Sequence, residues 1–125
     1  MKRLASVFFA LGLFMVPDVA AAQGRTLDAF VAEANRIPLN ATSALRPSAH
    51  RLRGEAERAF RTIGTEIQTA RAAGRTPPAC PPDRMSLNPQ QLLGFLNAIP
   101  QDRRQRMSVT DGFRTWMRER YPCPA

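Results

Sequence analysis

Residues 87–100 read Leu87-Asn88-Pro89-Gln90-Gln91-Leu92-Leu93-Gly94-Phe95-Leu96-Asn97-Ala98-Ile99-Pro100, and they carry the clearest helix start in the chain. Asn88 suits the N-cap, because its side-chain oxygen accepts an amide proton that the first turn leaves unpaired. Pro89 at N1 lacks a donor that this position cannot use. Gln91 at N3 completes a capping-box pattern, and Leu87 with Leu92 forms the pattern of a hydrophobic staple. Leu92, Phe95, Leu96 and Ile99 then fall on one face at helical spacing, and Pro100 ends the run.

The same signals recur on either side. Gln101 to Arg106 is a charged connector with room for one turn of helix, after which Ser108 and Asp111 give a second capping-box pattern. It opens a helix with Val109, Phe113, Trp116 and Met117 on one face, ending at Tyr121-Pro122-Cys123. Towards the N-terminus, Thr26 caps a helix carrying Leu27, Phe30, Val31 and Ala34, which stops near Arg36 because Pro38 disfavours a helical Ile37. A loop follows to Pro47. The next helix starts at Pro47 or Ser48, presents Ala49, Leu52, Ala56, Ala59, Phe60, Ile63, Ile67 and Ala70, and is closed by Gly74 with Pro77-Pro78 beyond. Gly54 and Gly64 inside it suggest a close backbone approach or a kink. No run of alternating β-branched residues argues for a strand. The expected fold is all-α, a small four-helix domain.

Lys2 and Arg3, the apolar stretch from Leu4 to Val16 and Ala20-Ala21-Ala22 have the order of a secretory signal, so residues 1–22 are expected to be cleaved and residues 23–125 to form a single α-helical domain. The apolar stretch is shorter than the roughly 20 residues a membrane-spanning helix needs. The mature chain is therefore expected to carry no transmembrane segment and to reside in the periplasm or outside the cell. Without residues 1–22 it holds 16 Arg against 9 acidic residues, a net charge of +7, and no lysine. Guanidinium forks remain for carboxylates or phosphates, but lysine Schiff-base chemistry is excluded.

Two cysteines remain, Cys80 and Cys123. In an oxidising compartment the expectation is a bond between them across the proline-rich segment 76–83, worth about 4 kcal/mol in the chain-entropy picture. An intermolecular bond or free thiols are the alternatives.

Reactive constellations are sparse. His50, the single histidine, stands between arginines early in its helix and reads as a solvated residue, with a catalytic or pH-sensing role as the alternative. One histidine and two paired cysteines do not build a zinc site. Glu57 and Arg61, four apart, read as a surface ion pair rather than as part of an acid–base couple. No glycine-rich phosphate loop follows a strand. These residues imply no enzyme, no cofactor and no metal.

The arginines fall in two groups, Arg46, Arg51, Arg53, Arg58 and Arg61 in one helix and Arg103, Arg104 and Arg106 in the connector. Such a field attracts anions, and it is also what an ordinary basic surface looks like. Nucleic acid is disfavoured as a partner, because the aromatics lie on apolar helix faces instead of among the arginines. Arg103, Arg104 and Arg106 are the candidate partner-contact residues.

From about Phe60 to Cys123 the order of features resembles the Rap/Tai-type immunity proteins of bacterial type VI secretion. The residues are Phe60-Arg61-Thr62-Ile63-Gly64-Thr65-Glu66-Ile67, Cys80-Pro81-Pro82, Asn88-Pro89-Gln90-Gln91-Leu92 with Ile99-Pro100, and Tyr121-Pro122-Cys123-Pro124. The resemblance covers about half of the chain. It implies a small periplasmic helical protein that occludes the cleft of a peptidoglycan amidase effector. The family pattern usually holds a further cysteine pair in its N-terminal half, and none stands there in this chain. The alternative is an envelope stress or anion-binding protein acting through its arginine-rich surface.

Overall fold

The computed structural model describes residues 24–124. The expected signal segment, residues 1–22, lies outside the described residues. Among those described there are five α-helices and no strand: α1 (Leu27–Asn35), α2 (Pro47–Ala72), α3 (Pro89–Ala98), α4 (Gln101–Arg104) and α5 (Val109–Arg120), with a 3-10 turn at Ser43–Leu45. The fold is all-α, and the count exceeds the expected four by the single turn α4. That turn forms because the Pro100 carbonyl accepts from the amides of Arg103 and Arg104, both at 3.0 Å. Asp102 at its start and the arginines at its end also suit the helix dipole.

The caps explain where the helices begin. Thr26 accepts from the Ala29 amide at 3.2 Å. Asn88 accepts from the amides of Gln90 and Gln91 at 2.9 and 3.2 Å. The box is one-sided there, since Gln91 makes no return bond to the Asn88 amide. At Ser108 it is complete: the hydroxyl accepts from the Asp111 amide at 3.0 Å, and Asp111 Oδ2 accepts from the Ser108 amide at 3.3 Å. Helix α2 ends in a Schellman motif, with Gly74 at φ +68°. Its amide donates to the Arg71 carbonyl at 3.1 Å and that of Arg75 to the Ala70 carbonyl at 2.8 Å.

The apolar stripes meet around α5. Phe113, Leu27 and Ile63 are fully buried, and Val31, Leu96, Ile67, Trp116 and Met117 close around them. Phe113 lies 5.6 Å from the Phe30 ring, edge-on, and 4.9 Å from Phe60. Phe60 continues to Trp116 and Trp116 to Tyr121, each pair 6.1 Å apart. Each such pair adds about 0.5–1.5 kcal/mol beyond burial.

The disulfide joins Cys80 to Cys123, as expected. It is reinforced by the Cys80 amide donating to the Tyr121 carbonyl at 2.8 Å and by Ala79, which is fully buried. At the other end of the chain the Leu27 amide donates to the Met107 carbonyl at 2.8 Å. The entrances of α1 and α5 are thereby fastened together. Among the described residues no helix is long and apolar enough to cross a membrane.

The close approach expected at Gly54 or Gly64 occurs elsewhere. A Cβ on Gly54 would meet only Arg58 Nη1, at 3.6 Å, and one on Gly64 nothing within 4 Å, while α2 runs unbroken for 26 residues. The tight contact is at Gly112, where a Cβ would stand 2.5 and 2.7 Å from the two methyls of Leu27. Leu27 is fully buried, so a shift of its methyls must be absorbed by the packed side chains around it. Gly112→Ala is therefore expected to lower stability by about 1–3 kcal/mol through overpacking, in spite of alanine's better helix propensity. Gly64→Ala, with open space around it, is expected to gain up to about 1 kcal/mol. Urea unfolding of the two variants measures both; equal midpoints would refute the assignment of the contact.

Candidate functional site

Four carboxylates, Asp28, Glu33, Glu55 and Glu66, are engaged in fastening separate parts of the chain. Arg25 Nε donates to Glu55 Oε1 at 2.9 Å and Arg25 Nη1 pairs with Glu33, linking the start of α1 to α2. Arg51 reaches the other oxygen of Glu33 at 3.4 Å. Arg114 on α5 grips both oxygens of Glu66 on α2, at 2.9 and 2.6 Å, and Asp111 at 2.7 Å. A planar guanidinium facing a carboxylate with two parallel bonds is the strong form of this interaction. Glu57 pairs with Arg53 at 3.1 Å and not with Arg61. Positions four residues before and after Glu57 are both within its reach on the helix surface, and the structure fills the earlier one.

The connector arginines separate into two kinds. Arg104 turns inward, its side chain only 14% exposed, with Nε donating to Asp28 Oδ1 at 3.1 Å. Its Nη1 donates to the carbonyls of Asn97 and Ile99 at 3.0 and 2.7 Å, satisfying acceptors that the end of α3 leaves open. Arg103 is exposed, and Arg106 is exposed with its guanidinium on Asp102 at 3.3 Å. The three candidate contact residues thus do not share one surface.

A concavity lies away from the connector. It is an open groove of about 830 Å³ bounded by α1, residues 37–44, the first turns of α2, and α3. Leu52, Leu92, Leu96, Phe30 and Phe113 are the buried apolar residues of its lining. The three large apolar side chains exposed among the described residues are Leu39 (54%), Leu45 (77%) and Leu87 (42%). Leu39 and Leu87 stand at its mouth, and Leu45 follows the lining residue Ala44. His50 and Arg53 supply the charged or titratable part of the lining, with Asn40, Asn88 and Gln90 as neutral polar neighbours, and no carboxylate is present. Helical periodicity did not reveal this site, because Leu39 and Leu45 belong to no helix face and Leu87 reads as a staple. Apolar residues in a loop without a helix to serve were the signal.

No protein-family model, no curated protein and no solved structure matches the chain.

Arg104→Ala is expected to lower stability by about 1.5–3 kcal/mol, since it removes charge-assisted bonds from a mostly buried head. Arg103→Ala is expected to stay within about 0.5 kcal/mol of the parent. Comparable thermal midpoints for the two would contradict the placement of Arg104.

Acid should loosen the ion-pair network in a defined direction. Glu33 is held below the usual carboxylate range chiefly by the Arg25 hydrogen bond, against a desolvation effect of opposite sign, with Arg51 assisting. At Asp111 burial is the largest single influence and pushes upward, but bonds from Ser108 and Arg114 together outweigh it, and the net shift is downward. A carboxyl with a depressed folded pKa contributes fully above its unfolded value, and the contribution is lost as pH falls through the folded one. The urea midpoint is therefore expected to hold steady down to about pH 4 and to drop below it. Glu33→Gln with Asp111→Asn should start lower at neutral pH and fall less; an unaltered acid profile in that variant would count against the two carboxyls.

Proposed function

We propose that this chain is an exported, non-enzymatic protein-binding domain that acts by occluding a partner, as the Rap/Tai-type immunity proteins it resembles occlude peptidoglycan amidase effectors. The observation that carries the reading is the open apolar groove with Leu39, Leu45 and Leu87 around it. Exposed apolar surface rimmed by polar groups is the mark of a surface that another molecule covers. The disulfide and the inter-helix ion pairs keep that surface rigid, which lowers the ordering cost of association. The partner in this reading is a protein and the compartment is the periplasm.

A second reading is favoured by the exposed arginines Arg46, Arg58, Arg61 and Arg103, none of which has a carboxylate partner among the described residues. An envelope protein could use them to engage an anionic polymer or lipid.

Titrating the purified oxidised chain into a peptidoglycan amidase encoded beside its gene distinguishes the two. Stoichiometric loss of amidase activity, with cells protected when both are sent to the periplasm, is the expected result. Full turnover at molar excess of the chain overturns the immunity reading. Binding to anionic vesicles that disappears as salt shortens the screening length to about 3 Å at 1 M supports the second reading instead.

A further inference from the structure

We infer that the groove between α1, residues 37–44, α2 and α3 receives an amphipathic helix of a partner protein, its apolar face flanked by carboxylates. The inference rests on the protein-binding reading above and assigns it a surface and a partner chemistry.

A protein segment fits better than a small apolar molecule. A fatty acid could fill a groove of about 830 Å³, but it would leave Leu45, which is 77% exposed beyond the lining, still facing water. Only a larger surface covers the groove and Leu45 together. Among the ways a protein groove takes a segment, strand addition needs a free sheet edge, and the described residues form no sheet. Polyproline recognition needs exposed aromatic rings, whereas the aromatic rings of this lining, Phe30 and Phe113, are buried. Laying the apolar face of a helix into the groove remains.

Charge selects the flanks. The lining contains Arg53 and His50 and no carboxylate, and exposed Arg46 follows Leu45. Arg53 is shared with Glu57, but both side chains are more than half exposed and such pairs exchange partners at little cost. A second copy of this chain is a poor occupant. Two-fold docking groove to groove would set Arg46 and Arg53 against their own copies on molecules that are each strongly basic. Carboxylates beside the apolar face of the partner helix meet those charges favourably.

The test uses the oxidised chain and fluorescence anisotropy. The probes are a labelled helical peptide with leucines at i, i+3, i+4 and i+7 and glutamate flanks, its counterpart with lysine flanks, and dodecanoate as competitor. The glutamate peptide is expected to bind at least about tenfold tighter than the lysine peptide. Leu45→Asp and Arg53→Gln, both at exposed positions, should each weaken it several-fold with nearly unchanged thermal midpoints. Equal affinity for the two peptides, no binding of either, displacement by dodecanoate, or self-association that competes with the peptide overturns the inference. Amidase inhibition undiminished in both variants overturns the groove assignment and leaves the protein-binding reading intact. Peptide binding without any amidase inhibition by the native chain overturns the immunity reading and leaves the groove assignment standing.

Discussion

Phe113 is the point on which the structure converges. Its ring is fully buried on α5, meets Phe30 of α1 and Phe60 of α2, and lines the groove together with residues of α3. Immediately before it in α5, Gly112 has no side chain, and that space admits the Leu27 methyls and brings α1 against α5. The geometry of the groove follows from these two neighbours. Phe113 supplies part of its lining, and Leu27 fixes where α1 stands along its edge.

Charge arrangement completes the frame. Asp28, Glu33, Glu55, Glu66 and Asp111 each hold an arginine that spans two helices or closes a cap. These five carboxylates therefore work within the domain. The surface still carries exposed carboxylates such as Asp83 and Glu119, but the arginines outnumber them, and the net field is that of a basic surface with a few exposed leucines.

Much of this was legible in the residues. The caps Thr26, Asn88 and Ser108, the apolar stripes and the stop at Gly74 are local signals, and the structure places helices where they stand. Pairing of Cys80 with Cys123 was the expectation for two cysteines in an oxidising compartment, with an intermolecular bond or free thiols as the alternatives, and the structure joins them. What escaped depends on contacts between distant parts of the chain. Gly112 has the same look in sequence as Gly64, yet only Gly112 faces another helix at close range. Arg104 is indistinguishable from Arg103 until the end of α3 and Asp28 come within its reach. The groove was hidden for the same reason, since its walls come from four separate stretches and the exposed leucines acquire meaning only when those stretches are side by side.

The cystine closes a covalent ring through residues 80–123 that contains α3, α4 and α5 and leaves α1 and α2 outside. One wall of the groove therefore belongs to a cyclised unit, while the facing wall is joined to it without a covalent cross-link, by packing, ion pairs, the Leu27–Met107 backbone hydrogen bond and the reciprocal Asn35–Asn97 amide pair at 3.0 Å. On unfolding, the ring limits how far α3, α4 and α5 can separate, whereas α1 and α2 carry no such covalent restraint.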